Sequence, residues 1–175
     1  ALEDPVLAER PELVLSWLHR AMQATLRHGA SGETTDDGLD AFVFHLSRDG
    51  RELRFASARV PGFVRTRHEV QALPAARVSV GHAQTPADHV WPGATVALAP
   101  SSLVAVSTDG FTDQPGGPRR IAFGKRRLAE LLAATAGADA RATATAFHRA
   151  HAAWQGDEPR RDDATFLAFT AGVRA

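Results

Sequence analysis

Cysteine is absent from the 175 residues. That single absence excludes disulfides, zinc fingers, thiolate clusters and cysteine nucleophiles, and it fits a cytoplasmic compartment. An excess of charge of one sign is lacking too, since 20 basic and 20 acidic residues balance. Proteins that hold nucleic acid by global electrostatics carry a basic excess, so no nucleic-acid partner is expected. No apolar run approaches the roughly 18 residues of a membrane span, so this segment is expected to make no membrane contact. The first ten residues, ALEDPVLAER, hold acid where a signal peptide holds basic charge. Lysine is nearly missing, one residue against nineteen arginines, and alanine is abundant. We read that bias as genome base composition, which points to no particular site.

What is present is enough apolar content for a core, 44% of residues, in a chain whose length suits one domain over residues 1–175. Helical spacing of Leu15, Leu18, Met22 and Leu26, with Pro11 suited to a first helical position, predicts a helix within 4–28. The polar stretch 30–38 predicts a loop. Two alternating runs, 41–46 and 52–56, flank Asp49-Gly50 and predict a hairpin with Phe42, Phe44 and Phe55 in the core. Weaker strands are expected near 62–66, 69–73 and 88–91, and others at 94–98 and 103–107. A Pro- and Gly-rich loop over 111–123 precedes helices at 124–136 and about 139–154, the second capped by Asp139. A strand over 164–170 closes the chain, with Phe166 and Phe169 in the core. Hairpins and short links favour antiparallel pairing, which makes the fold class α+β with helices on sheet faces.

Two acidic motifs carry chemistry. The first, Ser107-Thr-Asp-Gly-Phe-Thr-Asp-Gln114, follows an apolar strand, so Asp109 sits at a sheet rim on a rigid support, and Gly110 permits a sharp turn or a close approach. The second, Arg160-Arg-Asp-Asp-Ala-Thr165, precedes the last strand. If the two strands are sheet neighbours, Asp109 and Asp162 converge at one rim. Carboxylates on strand ends suit hard cations such as Mg²⁺ and Mn²⁺, and a pair of such ions can bind a phosphate and generate a nucleophile. Asp-Gly is equally the composition of an ordinary turn, and an Asp pair before a strand is equally a solvated loop.

Four blocks, in order, resemble the SpoIIE-type serine/threonine phosphatases of the PPM (type 2C) superfamily. They are Thr35-Asp-Asp-Gly-Leu-Asp-Ala41; the hairpin ending Leu53-Arg-Phe-Ala-Ser-Ala58; Val106-Ser-Thr-Asp-Gly-Phe-Thr-Asp-Gln114 with Phe123-Gly-Lys-Arg-Arg-Leu128; and Arg161-Asp-Asp-Ala-Thr165. Asp113-Gln114, Gly116-Gly117, Trp154-Gln155-Gly156 and Arg160–Asp163 are most similar to the SiaA-type branch, in which the phosphatase is the cytoplasmic output domain of a membrane receptor. The resemblance implies an α-β-β-α sandwich of two antiparallel sheets. It implies hydrolysis of phosphoserine or phosphothreonine by metal-activated water at a dinuclear Mn²⁺ or Mg²⁺ centre. It implies a phosphorylated STAS-like partner, an anti-sigma-factor antagonist. Matched residue by residue, Asp109 and Asp162 are the catalytic metal ligands, with Asp163 a further participant and Gly110 keeping the backbone approach open.

The family's N-terminal block, close to G-D-x-x-G-H-G-x-x-G-A, does not occur in the 175 residues. Its Asp bridges both metals in the family, and the strands and helix around it are lacking as well. The reading adopted is a partial domain, with weak or no catalysis by the isolated chain; a catalytically inactive binding module for the same kind of partner is the alternative. Lost core strands leave sheet edges open, so self-association, including a dimer, is expected. Of the remaining groups, Arg119 and Arg120, in a basic cluster with Lys125, Arg126 and Arg127, are candidates to bind a phosphorylated substrate or to form a solvated face. Asp36, Asp37 and Asp40 suit turn chemistry or an accessory site. His148 and His151 lack the third ligand a metal needs and read as surface residues, as does His45.

Overall fold

The structure, a computed structural model, describes residues 5–27 and 37–171. In chain order its elements are α1 (Pro5–Ala8), α2 (Pro11–Arg27), β1 (Ala41–Leu46), β2 (Glu52–Ala58), β3 (Gly62–Arg65), β4 (Val70–Leu73), β5 (Gly93–Ala97) and β6 (Ser102–Ser107). There follow α3 (Asp109–Thr112), β7 (Pro115–Gly116), β8 (Ile121–Ala122), α4 (Gly124–Ala134), α5 (Ala140–Gln155) and β9 (Phe166–Ala171). All strand pairs between these elements are antiparallel, as hairpins and short links require. The chain divides into two compact units, residues 1–60 with 74–97, and residues 61–73 with 98–175.

In the first unit the sheet order is β1-β2-β5. The hairpin pairs Ala41 with Ala58 through to Leu46 with Leu53, and Gly50 supplies the positive φ, 68°, that its turn demands. Helix α2 starts at Pro11 as predicted, because a first-turn residue needs no N–H donor. The expected single helix is interrupted at Glu9 and Arg10, which leaves Pro5–Ala8 as a separate turn. Leu15, Ala56, Ala58, Val80 and Trp91 form the core of this unit, with Leu18, Met22, Ala41 and Val43 against it. The apolar face of β1 toward that core is therefore Ala41 and Val43. Phe44 is exposed and Phe42 half-buried, stacked on Phe55 at 5.5 Å. Alternation fixed the period of the strand but not the side the helix covers. By the same parity His45 is half-buried opposite Arg54, not solvent-facing.

No strand forms over 88–91. Trp91 is instead buried, its indole N–H donating to the Val78 carbonyl at 2.8 Å, with the His19 and His89 rings edge-on to it. Buried His19 also holds the neighbouring loop, accepting from the Gly81 N–H at Nδ1 (2.9 Å) and bonding the Pro86 carbonyl through Nε2 (3.0 Å). Most of the predicted 30–38 loop and the side chain of Leu26 lie outside the described residues.

The second unit is built on a four-stranded sheet of order β4-β3-β6-β9. Its core is Phe63, Leu103, Ala105, Phe111, Phe123, Leu128, Leu132 and Phe147, with Phe166 and Ala168 packed against them. Phe166 stacks on Phe147 at 4.0 Å, while Phe169, of opposite parity on the strand, is half-buried outside this cluster. The Asp139 carboxylate accepts from the Ala142 N–H at 2.7 Å and caps α5 as the sequence predicts. The stretch read as loop, 111–123, begins with the last two residues of α3 and holds a two-residue ladder, Pro115 with Ala122 and Gly116 with Ile121. Its conformation is set by packing: a Cβ on Gly116 would stand 2.0 Å from the Trp154 carbonyl oxygen, and the Gly117 N–H donates to that oxygen at 2.8 Å.

Candidate functional site

Strands β6 and β9 are neighbours, with Ser107 opposite Phe166. The two acidic motifs therefore leave the sheet side by side, both inside the second unit. One residue clamps them together. The Thr108 N–H donates to the Thr165 carbonyl at 3.0 Å, its hydroxyl donates to the Asp163 carbonyl at 3.1 Å, and its oxygen accepts from the Thr165 N–H at 2.9 Å. Asp109 opens the single turn of α3, where Phe111 N–H bonds the Thr108 carbonyl and Asp113 N–H bonds the Asp109 carbonyl at 2.7 Å. Asp113 accepts at Oδ1 from the Thr112 hydroxyl at 3.2 Å.

Gly110 is fixed by contact, not by φ, since it is not among the positive-φ glycines. A Cβ at this position would lie 2.5 Å from the Asp163 carbonyl oxygen and 3.2 Å from the Asp162 Cβ. What the missing side chain makes room for in the structure is thus the backbone that carries Asp162 and Asp163. All three aspartates are exposed. Asp162 folds one oxygen back onto the Asp163 N–H at 2.7 Å.

Behind this rim the support is rigid. Phe111, two residues past Asp109, is 4% exposed and is packed among Phe123, Phe147, Phe166 and His151. His151 is the clearest correction to the sequence expectation of a surface histidine: it is 4% exposed, its ring 4.2 Å from that of Phe111, and its Nε2 is buried without a partner among the described residues. Burial lowers its pKa, helped by the charges of Arg160 and His148 and opposed by the backbone at Phe111. Thr143, Phe147 and His151 are all buried on α5, an i, i+4, i+8 stripe that is the sequence signal for a core-facing histidine. His148 is exposed.

The basic cluster splits up. Arg119 is exposed, Arg120 is in an ion pair with Glu158 at 2.7 Å, and Arg127 lies over the Trp154 ring at 4.0 Å. In the first unit, Asp40 is held by Arg59 at 3.1 Å and by the Ser79 hydroxyl, which is structural use of the acid; Asp36 lies outside the described residues.

Asp109 and Asp162 have the chemistry of hard-cation ligands, but their number falls short. A hard divalent cation takes about six oxygens, and among the described residues no group of three or more His, Asp or Glu side chains is placed to hold one. These residues do not by themselves fit a two-metal centre. Among the described residues, no helix is long and apolar enough to cross a membrane.

Comparison with known proteins agrees with this fold. The family model of Stage II sporulation protein E (SpoIIE) matches residues 4–171. The SiaA-PP2C domain of Pseudomonas aeruginosa is similar at 33% identity and a TM-score of 0.77, over 93% of this chain and 61% of that one. This chain therefore spans less than two thirds of that relative's length. The phosphatase domain of the cell fate determinant SpoIIE from Bacillus subtilis, presoaked with Mn, is similar in fold at 13% identity and a TM-score of 0.60, over 89% of this chain and 74% of that one. RsbX in complex with magnesium is similar in fold at 14% identity and a TM-score of 0.62, over 98% of this chain and 69% of that one. No curated protein matches. The α+β class with antiparallel sheets is thus the fold of PP2C-type structures.

Proposed function

The chain belongs to the SpoIIE family of serine/threonine phosphatases, and from that premise we propose that residues 1–175 are one SpoIIE-type domain that removes phosphate from phosphoserine or phosphothreonine. The observation that carries the reading is the clamped pair of acidic motifs at the β6–β9 rim, with Asp109 and Asp162 on adjoining backbone and Gly110 wedged between them. Asp109 and Asp162, with Asp163 beside them, are the ligands this chain contributes toward Mn²⁺ or Mg²⁺. The relatives soaked or complexed with those ions support the choice of metal. When bound, such ions supply positive charge against the phosphate oxygens. The role of the chain is to hold the two carboxylates at a fixed separation on a backbone that Thr108 and Phe111 immobilise.

An open rim of exposed carboxylates suits a phosphorylated loop on a folded protein. The substrate class proposed is a small STAS-like regulatory protein of the anti-sigma-factor-antagonist type. Arg119 is free to meet its phosphate or acidic surface, while Arg120 is tied to Glu158. The proposed setting is cytoplasmic, as the output domain of a membrane receptor or alone. A second reading, a phosphoprotein-binding module without turnover, is favoured by one observation, the absence of a three-ligand cluster among the described residues.

The experiment is p-nitrophenyl phosphate and phosphoserine-protein hydrolysis with added Mn²⁺. It compares the chain, the protein with whatever its reading frame encodes before Ala1, and the Asp109→Asn and Asp162→Asn variants of each. Turnover abolished by both substitutions supports the phosphatase. Phosphoprotein binding with no turnover in any form supports the binding module. Turnover indifferent to both substitutions overturns the assignment of the site.

A further inference from the structure

At the opposite end of the same sheet lies a cavity of about 220 Å³ lined by Arg65, Thr66, Arg67, Ser101, Asp139 and Thr170 among others. Its distance from the acidic rim follows from register. Arg65 pairs with Leu103 and Thr170 also pairs with Leu103, whereas Phe166 and Ser107 adjoin the rim. Four residues of strand separate Thr170 from Phe166, roughly 13 Å at about 3.3 Å per residue.

Arg65 is the unusual member. It is 3% exposed, and among the described residues no carboxylate lies within ion-pair distance of it. Its Nη1 donates to the Thr135 carbonyl (2.7 Å), the Thr135 hydroxyl (2.9 Å) and the Thr143 hydroxyl (3.1 Å), and its Nη2 donates to the Ala138 carbonyl at 2.6 Å. These bonds tie Arg65 to the turn that follows α4, whose Thr135 carbonyl also accepts from the Ala138 N–H at 3.0 Å. A guanidinium carries five N–H groups. Its Nε–H and one of its two Nη2–H have no acceptor among the described residues, and Nε–H beside Nη2–H is the side-on fork of a guanidinium. That fork is the geometry that takes a carboxylate or phosphate in two parallel bonds. Burial draws the Arg65 pKa down, but a guanidinium keeps its proton at any ordinary pH. A buried cation without a counter-ion is costly, and an anion in the adjoining cavity removes that cost.

We infer that this cavity binds a small oxyanion, a carboxylate or phosphate group, between the Arg65 fork and Arg67, with the Ser101 and Thr170 hydroxyls as further donors, the Thr66 hydroxyl being turned to the Glu69 carbonyl. Asp139 sets the limit on its charge. Its Oδ1 is committed to the Ala142 N–H, yet its negative charge remains on the wall and disfavours a polyanion. The site is separate from Asp109 and Asp162 and does not depend on the phosphatase reading.

The test is calorimetric titration of the metal-free chain, in chelator, with inorganic phosphate in one arm and acetate in the other. One saturable site for either anion is expected, and the arm that binds identifies the source of the oxyanion. Arg65→Lys keeps the charge and loses the fork, and Arg67→Gln removes the second cation; each should weaken binding by roughly tenfold or more. Asp139→Asn, which keeps the cap, should tighten it, and binding should survive Asp109→Asn. If Arg65→Lys melts early and cannot be titrated, Arg67→Gln and Asp139→Asn decide the matter. Failure of both anions to bind, or binding lost in Asp109→Asn and untouched by Arg67→Gln, overturns the inference.

Discussion

Replacing Gly110 with alanine tests whether the two acidic motifs are locked together. The added methyl would sit 2.5 Å from the Asp163 carbonyl oxygen and 2.9 Å from its carbon, both backbone atoms, so no side chain can swing aside. Overpacking of this kind costs about 1–3 kcal/mol. Relief requires the 162–165 segment to move away from Thr108, which stretches bonds of 3.0, 3.1 and 2.9 Å, each worth about 1 kcal/mol. The expected loss is about 2–4 kcal/mol. At about 2–4 °C per kcal/mol for a chain of this size, it appears as a fall in Tm of roughly 5–15 °C. Urea denaturation gives the free energy directly, and Mn²⁺-dependent phosphatase turnover gives the consequence at the site. The reasoning predicts that turnover falls even where the variant is folded, because relief moves Asp162 relative to Asp109. A urea midpoint shifted by less than about 0.5 kcal/mol equivalent, together with unchanged turnover, refutes the close approach.

The lowered pKa of His151 means that the folded chain binds its proton less readily than the unfolded chain. That stability is present above the ordinary histidine value, near 6.5, and is lost as pH falls through the lowered native value. Urea midpoints at pH 7.5 and pH 5 should therefore diverge in the parent and converge in His151→Phe. Phe147→Ala empties a fully buried site between Phe111 and Phe166 and should cost about 3–5 kcal/mol in the same assay. Gly116→Ala sets a methyl 2.0 Å from the Trp154 carbonyl; the β7–β8 hairpin should detach, seen as faster proteolysis within 115–122 with smaller change elsewhere.

The parts of this molecule legible in its sequence are those decided by local chemistry. The Asp139 cap, the Pro11 helix start and the Asp49-Gly50 turn each follow from one or two residues, and all three form. The meeting of the two acidic motifs was conditional on strand pairing, a contact between residues more than fifty apart, and the β6–β9 register sets the strands that carry them side by side. What the sequence could not carry is the choice between faces. The period of β1 was correct, yet Val43 faces the helix and Phe44 the solvent, since alternation is symmetric under a change of side. Arg65 gave no signal either: an arginine in a short strand is ordinarily a surface residue, and only the turn after α4, seventy positions away, gives it half-buried carbonyl acceptors.

The location of burial explains how the proposed site can be exposed and yet held in place. Asp109 and Asp162 reach solvent, and exposed loops are usually mobile. Here each is followed within four residues by a phenylalanine packed in one cluster, Phe111 after Asp109 and Phe166 after Asp162. The two rings are 6.0 Å apart by centroid, so the loops are pinned to one another from below by the core and from above by Thr108. A catalytic or ligand carboxylate must hold its position to about 0.5 Å. A turn held only by its own hydrogen bonds does not reach that, whereas one anchored at both levels does. On the site proposed above, the buried aromatic cluster serves more than stability: loosening it at Phe111 should displace the Asp109 and Asp162 carboxylates as well.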